Sequence, residues 1–249
     1  MELAGTVAIV TGAGRGIGRA TALALARRGV LVVLVARTQP EIESVAGEAE
    51  AAGSTALPVV ADVGREDEVA GMVDRALQTY GRVDILVNNA GMSLPERPVV
   101  DTSLADWERI LRVNLTGPFL CARAVLPVMM RQRSGKIVNV ASIGGRVGFA
   151  GIAAYGAAKA GLLHFTASLA AEVKRFGIDV NAVCPSGTDT RLLHETGRAK
   201  GRTNLIRPEE IANVIVFMVS PESSAITGTA IEAYGLSNPL FGPLLSDGR

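Results

Sequence analysis

The sequence predicts an α/β fold: a doubly wound, seven-stranded parallel sheet with helices on both faces. Three observations predict it. Short β-branched runs alternate with longer helical patterns along the 249 residues. The strand runs are apolar throughout, as in strands covered on both faces, instead of alternating apolar with polar. A glycine-rich turn joins the first strand to the first helix. A (β/α)8 barrel is the competing architecture, but it needs eight units and has no use for that first turn.

Each element follows in order. "TVAIVT" (6–11) reads as a buried strand, and "RGIGRATALALARRG" (15–29) as a helix stopped by Gly29. "VLVVLVA" (30–36) is the second strand, and "PEIESVAGEAEAAG" (40–53) a helix opened by a proline and closed by a glycine. "ALPVVADV" (56–63) is the third strand; "REDEVAGMVDRALQTYG" (65–81) is a helix with acidic residues in its first turn, where the helix dipole favours them. "DILVNNAG" (84–91) is a strand running into a polar turn. Residues 103–135 form one long helical region, interrupted near Asn114 and by Pro118 and Pro127. "KIVNVAS" (136–142) is a strand, 151–177 a long helix, "IDVNAVCP" (178–185) a strand, 207–220 a helix and "GTAIEAYG" (228–235) the last strand. No repeat, low-complexity tract or linker divides the chain, so residues 1–249 read as one domain.

Composition narrows the function. Apolar residues make up 48 % and charged residues 20 %, a globular balance. Formal net charge is +1, which gives no electrostatic case for nucleic acid. Cys121 and Cys184 form no CxxC pair, and no His/Cys cluster has metal-ligand spacing, so no metal is expected. The N-terminus lacks a signal-peptide pattern, and no apolar run is long enough to predict a membrane span. The expectation is a cytoplasmic protein with no membrane partner.

"TGAGRGIG" (11–18) sits where strand meets helix. Gly12 allows a tight turn, Gly16 a close backbone approach to a pyrophosphate, and Gly18 helix-on-sheet packing. The helix N-terminus offers free N–H groups and a positive dipole end to phosphates. At the end of the second strand, an acidic residue would hold the ribose 2′-OH of NAD. The chain has Ala36 then Arg37 there, and no Asp or Glu between Arg28 and Glu41. Arg37, with Arg15 in the loop, suits a 2′-phosphate, so NADP is expected and NAD is the alternative. Asp62 in "ADV" is a candidate acceptor for the adenine amino group, or a helix N-cap.

Farther on, "NNAG" (88–91), Asn114, Ser142 and "YGAAK" (155–159) follow in order. Together with the glycine loop, this set resembles the short-chain dehydrogenase/reductase family, in register from Glu2 to about Leu240. The resemblance implies a Rossmann-type, NAD(P)-dependent oxidoreductase, usually tetrameric. It implies that Asn88 and Gly91 stabilise the central strand and border the adenosine ribose, and that Asn114 holds a proton-relay water. It further implies that Ser142 orients the substrate oxygen, that Tyr155 is the acid/base, and that Lys159 binds the nicotinamide ribose and tunes the tyrosine. Thr190 would contact the nicotinamide carboxamide; Ile17, Val63, Asn89, Ala90, Pro185 and Thr188 complete the implied cofactor-binding set. Departures from the family pattern are Ser186 where glycine is usual, a short lid over 190–206, and no Asp-Gly-Gly in the C-terminal stretch.

The residues themselves support this chemistry. Tyr155 and Lys159 are four apart and share a helix face. A phenol with a pKa of about 10 needs about 3–4 kcal/mol of preference for the phenolate to work near neutrality. One cation at about 4 Å supplies about that much at an effective dielectric near 20. Ser142, at a strand end, can donate to a developing oxyanion or simply cap a turn. His164 reads as a core-edge residue and His194 as a lid residue that could touch substrate. Met129 and Met130 read as packing and Trp107 as a helix-start anchor. Gly144, Gly145, Val147, Gly148 and Phe149, with the lid, are expected to shape the substrate site. A Ser142–His164 hydrolase lacks the G-x-S-x-G elbow. The expected function is interconversion of a secondary alcohol and a ketone, or a 3-oxoacyl-type carbonyl, by an NADP(H)-preferring homotetramer. The rivals are an NAD-dependent relative and a dinucleotide-binding regulator that no longer turns over.

Overall fold

Successive residues of each strand feed opposite helical layers, as a sheet covered on both faces requires. In β1 (Val7–Thr11), Ala8 and Val10 pack into one apolar core, and Val7 and Ile9 into the other. The computed structural model describes residues 2–235. It contains the seven expected strands, in the order β3-β2-β1-β4-β5-β6-β7, all parallel. The others are β2 (Leu31–Ala36), β3 (Ala56–Val60), β4 (Ile85–Asn88), β5 (Gly135–Val140), β6 (Ile178–Pro185) and β7 (Ala230–Ala233). This is the doubly wound, Rossmann-type sheet.

One layer holds α1 (Gly16–Ala26), α2 (Gln39–Ala51) and α8 (Pro208–Val219). The other holds α3 (Glu66–Tyr80), α5 (Gly117–Gln132) and α6 (Ala153–Val173). The chain reverses direction across the sheet between β1 and β4, so the carboxyl ends of these strands open a crevice there.

Two helix ends close on glycines, whereas α5 closes on a left-handed Arg133 (φ 51°). Gly81 takes the left-handed conformation (φ 72°) after α3 and Gly177 (φ 70°) after the turn that ends α6. The region 103–135 departs from expectation. Helix α4 (Leu104–Leu111) runs through a π-helical turn, Arg112–Thr116, straight into α5. Pro118 falls in the first turn of α5, where the π-turn has already displaced the backbone hydrogen bonds, and Pro127 lies inside α5 without ending it. The continuous run Leu104–Gln132 is long and apolar enough to cross a membrane, although half of its most apolar window is buried inside the fold. Cys121 and Cys184 are free and buried.

A buried polar chain ties the sheet to α6. Asn88 Nδ2 donates to Asn139 Oδ1 (2.9 Å), Asn139 Nδ2 donates to Thr166 Oγ1 (2.9 Å), and Thr166 Oγ1 donates to the Leu162 carbonyl (2.7 Å). Asn88 thus acts on the central strands, as expected. Replacing Asn139 by Ala strips both neighbours of a partner in a dry interior. It should destabilise the fold by about 2 kcal/mol or more in urea unfolding. An unchanged midpoint would contradict this role.

Candidate active site

The crevice is a cavity of about 760 Å³ at the carboxyl edge of the sheet. It runs from Arg37 and Asp62, past the glycine loop, to Ser142, Tyr155 and the segment 185–204. All the expected catalytic residues line it, as do Gly12, Arg15, Gly16, Ile17, Val63, Asn89, Ala90, Gly91, Pro185, Thr188 and Thr190. Gly18 lies beneath, where a Cβ would come within 2.1 Å of the Gly12 carbonyl oxygen.

At the dinucleotide end, the glycine loop of residues 12–15 joins β1 to α1. Thr11 Oγ1 accepts the N–H groups of Asn89 and Ala90 (both 3.0 Å), and Asn89 Nδ2 donates to the carbonyls of Thr11 (2.9 Å) and Gly12 (3.1 Å). The Asn89 carboxamide therefore braces the loop. Gly16 is left-handed (φ 54°), and a Cβ on it would approach Thr190 Cγ2 to 3.1 Å. The first turn of α1 has no side-chain cap and no acidic residue, so its free N–H groups fit a pyrophosphate. Asp62 does not cap α3. Its Oδ1 accepts the Gly64 N–H (2.9 Å) in a tight turn, because Arg65 occupies the cap position.

The charges at this end differ from the sequence expectation. Arg37 is exposed and makes no ion pair among the described residues. Arg15 pairs with Glu41 (3.4 Å), which also meets Arg191 (3.5 Å). Glu41 was too far along the chain to count as an acid at the end of β2, yet the first turn of α2 carries it over Gly14 and into the cavity wall. Sequence spacing missed it because the turn between β2 and α2 is so short.

At the reacting end, α6 lies tightly against the strand ends. A Cβ on Gly145 would fall 2.7 Å from the Lys159 carbonyl carbon, so Gly145 serves this contact and not the substrate wall. Val147 and Gly148 also lie outside the cavity, while Gly144 and Phe149 line it. Lys159 is 4 % exposed and donates from Nζ to the Val140 carbonyl (2.8 Å). Burial lowers its pKa to about 8. Ser142 caps the short turn Ile143–Gly145 by accepting the Gly144 N–H (3.1 Å) and also faces the cavity. Its hydroxyl is also hydrogen-bonded to the Tyr155 phenol.

Tyr155 overturns one expectation. Its pKa is raised, because burial of the phenol outweighs the pull of the Ser142 hydroxyl and then of the Arg198 guanidinium. Lys159 does not dominate: Nζ is turned to Val140 and lies 5.7 Å from the ring centre.

Asn114 sits in the π-turn, fully buried. Its Nδ2 donates to the carbonyls of Met92 (2.8 Å) and Ile110 (3.0 Å), and its Oδ1 accepts the Met92 N–H (3.3 Å). The side chain thus supplies a partner to Ile110 where the helical ladder shifts. A Cβ on Gly91 would lie 2.9 Å from Asn114 Oδ1 and 3.7 Å from Lys159 Nζ, so glycine leaves these two groups open to each other.

The segment 190–206 contains a helix the sequence did not reveal, α7 (Arg191–Glu195), started by Thr190. His194 is exposed, pairs with Asp189 (2.7 Å) and does not line the cavity. His164 is exposed on α6. Arg198 and Arg202 do line the cavity, and no motif had marked them. The C-terminal stretch beyond 235 lies outside the described residues.

Residues 6–201 match the family model described as short chain dehydrogenase. The chain is 40 % identical to a 3-oxoacyl-[acyl-carrier-protein] reductase of Synechocystis sp., over 94 % of this chain and 97 % of that one. It is 42 % identical to a cis-4-hydroxycyclohexanecarboxylate dehydrogenase of Sinomonas cyclohexanicum, over 92 % and 95 %. Among solved structures, a 3-ketoacyl-(acyl-carrier-protein) reductase from Brucella melitensis complexed with NADH superposes with a TM-score of 0.88 at 35 % identity, over 94 % of this chain and 99 % of that one.

The buried Lys159 has a measurable consequence. A lysine whose pKa falls from 10.5 to about 8 on folding destabilises the fold below pH 8. The penalty fades as pH rises from about 8 to 10.5, where the unfolded chain still binds the proton and the folded one does not. Lys159→Met, without dinucleotide, should therefore be more stable than the native protein at neutral pH. The gain is about 1–3 kcal/mol after allowing for the unpaired Val140 carbonyl. In urea unfolding it should shrink toward pH 10; a less stable variant at neutral pH would contradict the burial penalty.

Proposed function

Because the chain belongs to the short-chain dehydrogenase family, and is thereby a nicotinamide-dependent oxidoreductase of alcohol and carbonyl groups, we propose that it interconverts a secondary alcohol and a ketone, or a 3-oxoacyl-type carbonyl, with Tyr155 as acid/base. The observation that carries this reading is the convergence of Ser142, Tyr155, Lys159 and Asn114 on one end of one cavity. A regulator without turnover would have no need of all four.

When bound, the dinucleotide supplies the hydride in reduction and accepts it in oxidation. The chain does the rest. Free N–H groups of Gly16, Ile17 and Gly18 hold the pyrophosphate. Ser142 turns its hydroxyl hydrogen to the substrate oxygen. Tyr155 gives its phenolic proton to that oxygen as the carbonyl becomes an alcohol, and takes it back in the reverse direction. A phenol is already protonated at neutral pH, and burial pushes the Tyr155 pKa further up, which suits a proton donor. Lys159, titrating near 8, can return a proton toward Tyr155, and Asn114 beyond Gly91 can hold the water that refills it.

Arg37 faces the groove free of a carboxylate, which supports NADP. Glu41 beside Arg15 favours the second reading, NAD, because a carboxylate there repels a 2′-phosphate. In this reading, residues 1–249 act as one cytoplasmic unit, with 190–206 as the lid. The unit assembles as a homotetramer, and exposed Val99, Val100, Leu104 and Phe119 supply apolar surface for the contacts.

Two experiments test these roles. Tyr155→Phe should lower turnover by about 10³-fold or more, followed at the nicotinamide absorbance, with dinucleotide affinity unchanged. Near-native turnover would contradict the assignment. Arg37→Glu should weaken NADPH binding by about tenfold or more while leaving NADH binding nearly unchanged; equal effects on both would favour NAD.

A further inference from the structure

The cation nearest the proton donor's ring is on the lid. The Arg198 guanidinium carbon lies 5.5 Å from the Tyr155 ring centre, against 5.7 Å for Lys159 Nζ. Two of its five N–H groups are engaged by neutral oxygens: Nη2 donates to Ser93 Oγ (2.8 Å) and Nε to Thr196 Oγ1 (3.1 Å). Among the described residues it forms no ion pair, and it is half-buried. Glu96, a carboxylate that also lines the cavity, lies against Gly151 and does not pair with it. Arg202 also lines the cavity, beside Gly187. Lys159 is taken up by Val140.

A half-buried guanidinium held in place by two neutral oxygens has lost hydration without gaining a counter-charge. Such an arrangement is complementary to an anion that arrives from outside, and the planar fork suits a carboxylate. Apolar side chains in the lining of the same cavity, among them Met92, Ile143, Phe149 and Ile152, suit a short carbon skeleton.

We propose that Arg198, positioned by Ser93 and Thr196, is the substrate-anion recognition residue, and that the substrate is a small oxo acid or hydroxy acid with its carboxylate a few bonds from the reacting carbon. The proximity of Arg198 to Tyr155 sets that distance: an anion at the far end of a long thioester carrier could not reach Arg198 while its carbonyl meets Tyr155. The inference rests on the reading of Tyr155 as proton donor.

The test uses the full chain loaded with reduced dinucleotide and two matched probe pairs, 3-oxobutanoate and 4-oxopentanoate, each against its methyl ester. The native protein should bind and reduce at least one acid about tenfold or more better than its ester in kcat/KM. Arg198→Met should raise KM for the acid about tenfold or more beyond any change for its ester, removing the preference, and Arg198→Lys should restore part of it. Binding of the acids, read by calorimetry on the loaded Tyr155→Phe protein so that no turnover intrudes, should weaken when Arg198→Met is added. An ester preference in the native protein, no binding of either acid, or an acid-to-ester ratio that Arg198→Met leaves alone would each overturn the proposal. So would an equal loss for acid and ester with a shifted pH profile, which would show that Arg198 acts only on the Tyr155 ionisation. Failure of the proton-donor reading is separate: Tyr155→Phe would then retain turnover, while the acid preference of the native protein could still stand.

Discussion

The site depends on one costly placement: an ammonium group buried under the end of a parallel sheet. Lys159 reaches the Val140 carbonyl only because α6 lies almost in contact with the turn after β5. Gly145 permits that approach. Gly91 keeps the space beside Nζ clear, and the π-turn swings Asn114 toward it. Each feature is hard to explain by stability alone. A glycine forgoes packing, a π-turn gives up regular helical bonding, and a buried lysine opposes folding at neutral pH. Together they create a cavity wall on which a phenol, a hydroxyl and an amine lie side by side. The fold tolerates these penalties because its strands are buried on both faces and its two apolar cores are extensive.

The same strand ends organise the opposite half of the cavity by different means. There the structure leaves backbone N–H groups free. Thr11 and Asn89 lock the glycine loop in place, leaving the first turn of α1 uncapped for an anion. Charge selection is left to exposed side chains, where pairs are weak and easily rearranged. Arg15 is shared with Glu41, and Glu41 with Arg191 at the start of α7, so one carboxylate ties the glycine loop to the segment after β6.

Much of this was legible in the sequence, for physical reasons. Strands buried on both faces write uninterrupted apolar runs, and left-handed helix ends write glycines, so the sheet and most helix boundaries follow directly. Tyr155 and Lys159 are legible because a helix fixes where residues four apart must point. What was hidden depends on contacts between segments. Glu41 enters the groove through a turn too short to judge from spacing. Arg198 reaches Tyr155 through the path of an irregular loop. The direction of the Tyr155 shift was misjudged because Coulomb attraction can be anticipated from a nearby lysine, whereas desolvation depends on everything packed around the phenol. The π-turn at Asn114 was visible only as an interruption.

The central claim is that burial holds Tyr155 protonated, as a proton donor. The direct measurement is an ultraviolet difference titration of phenolate absorbance, the native protein against Tyr155→Phe. The account predicts that Tyr155 ionises above the ordinary tyrosine value of about 10 in the protein without dinucleotide. A difference signal that titrates well below that value under the same conditions would contradict it.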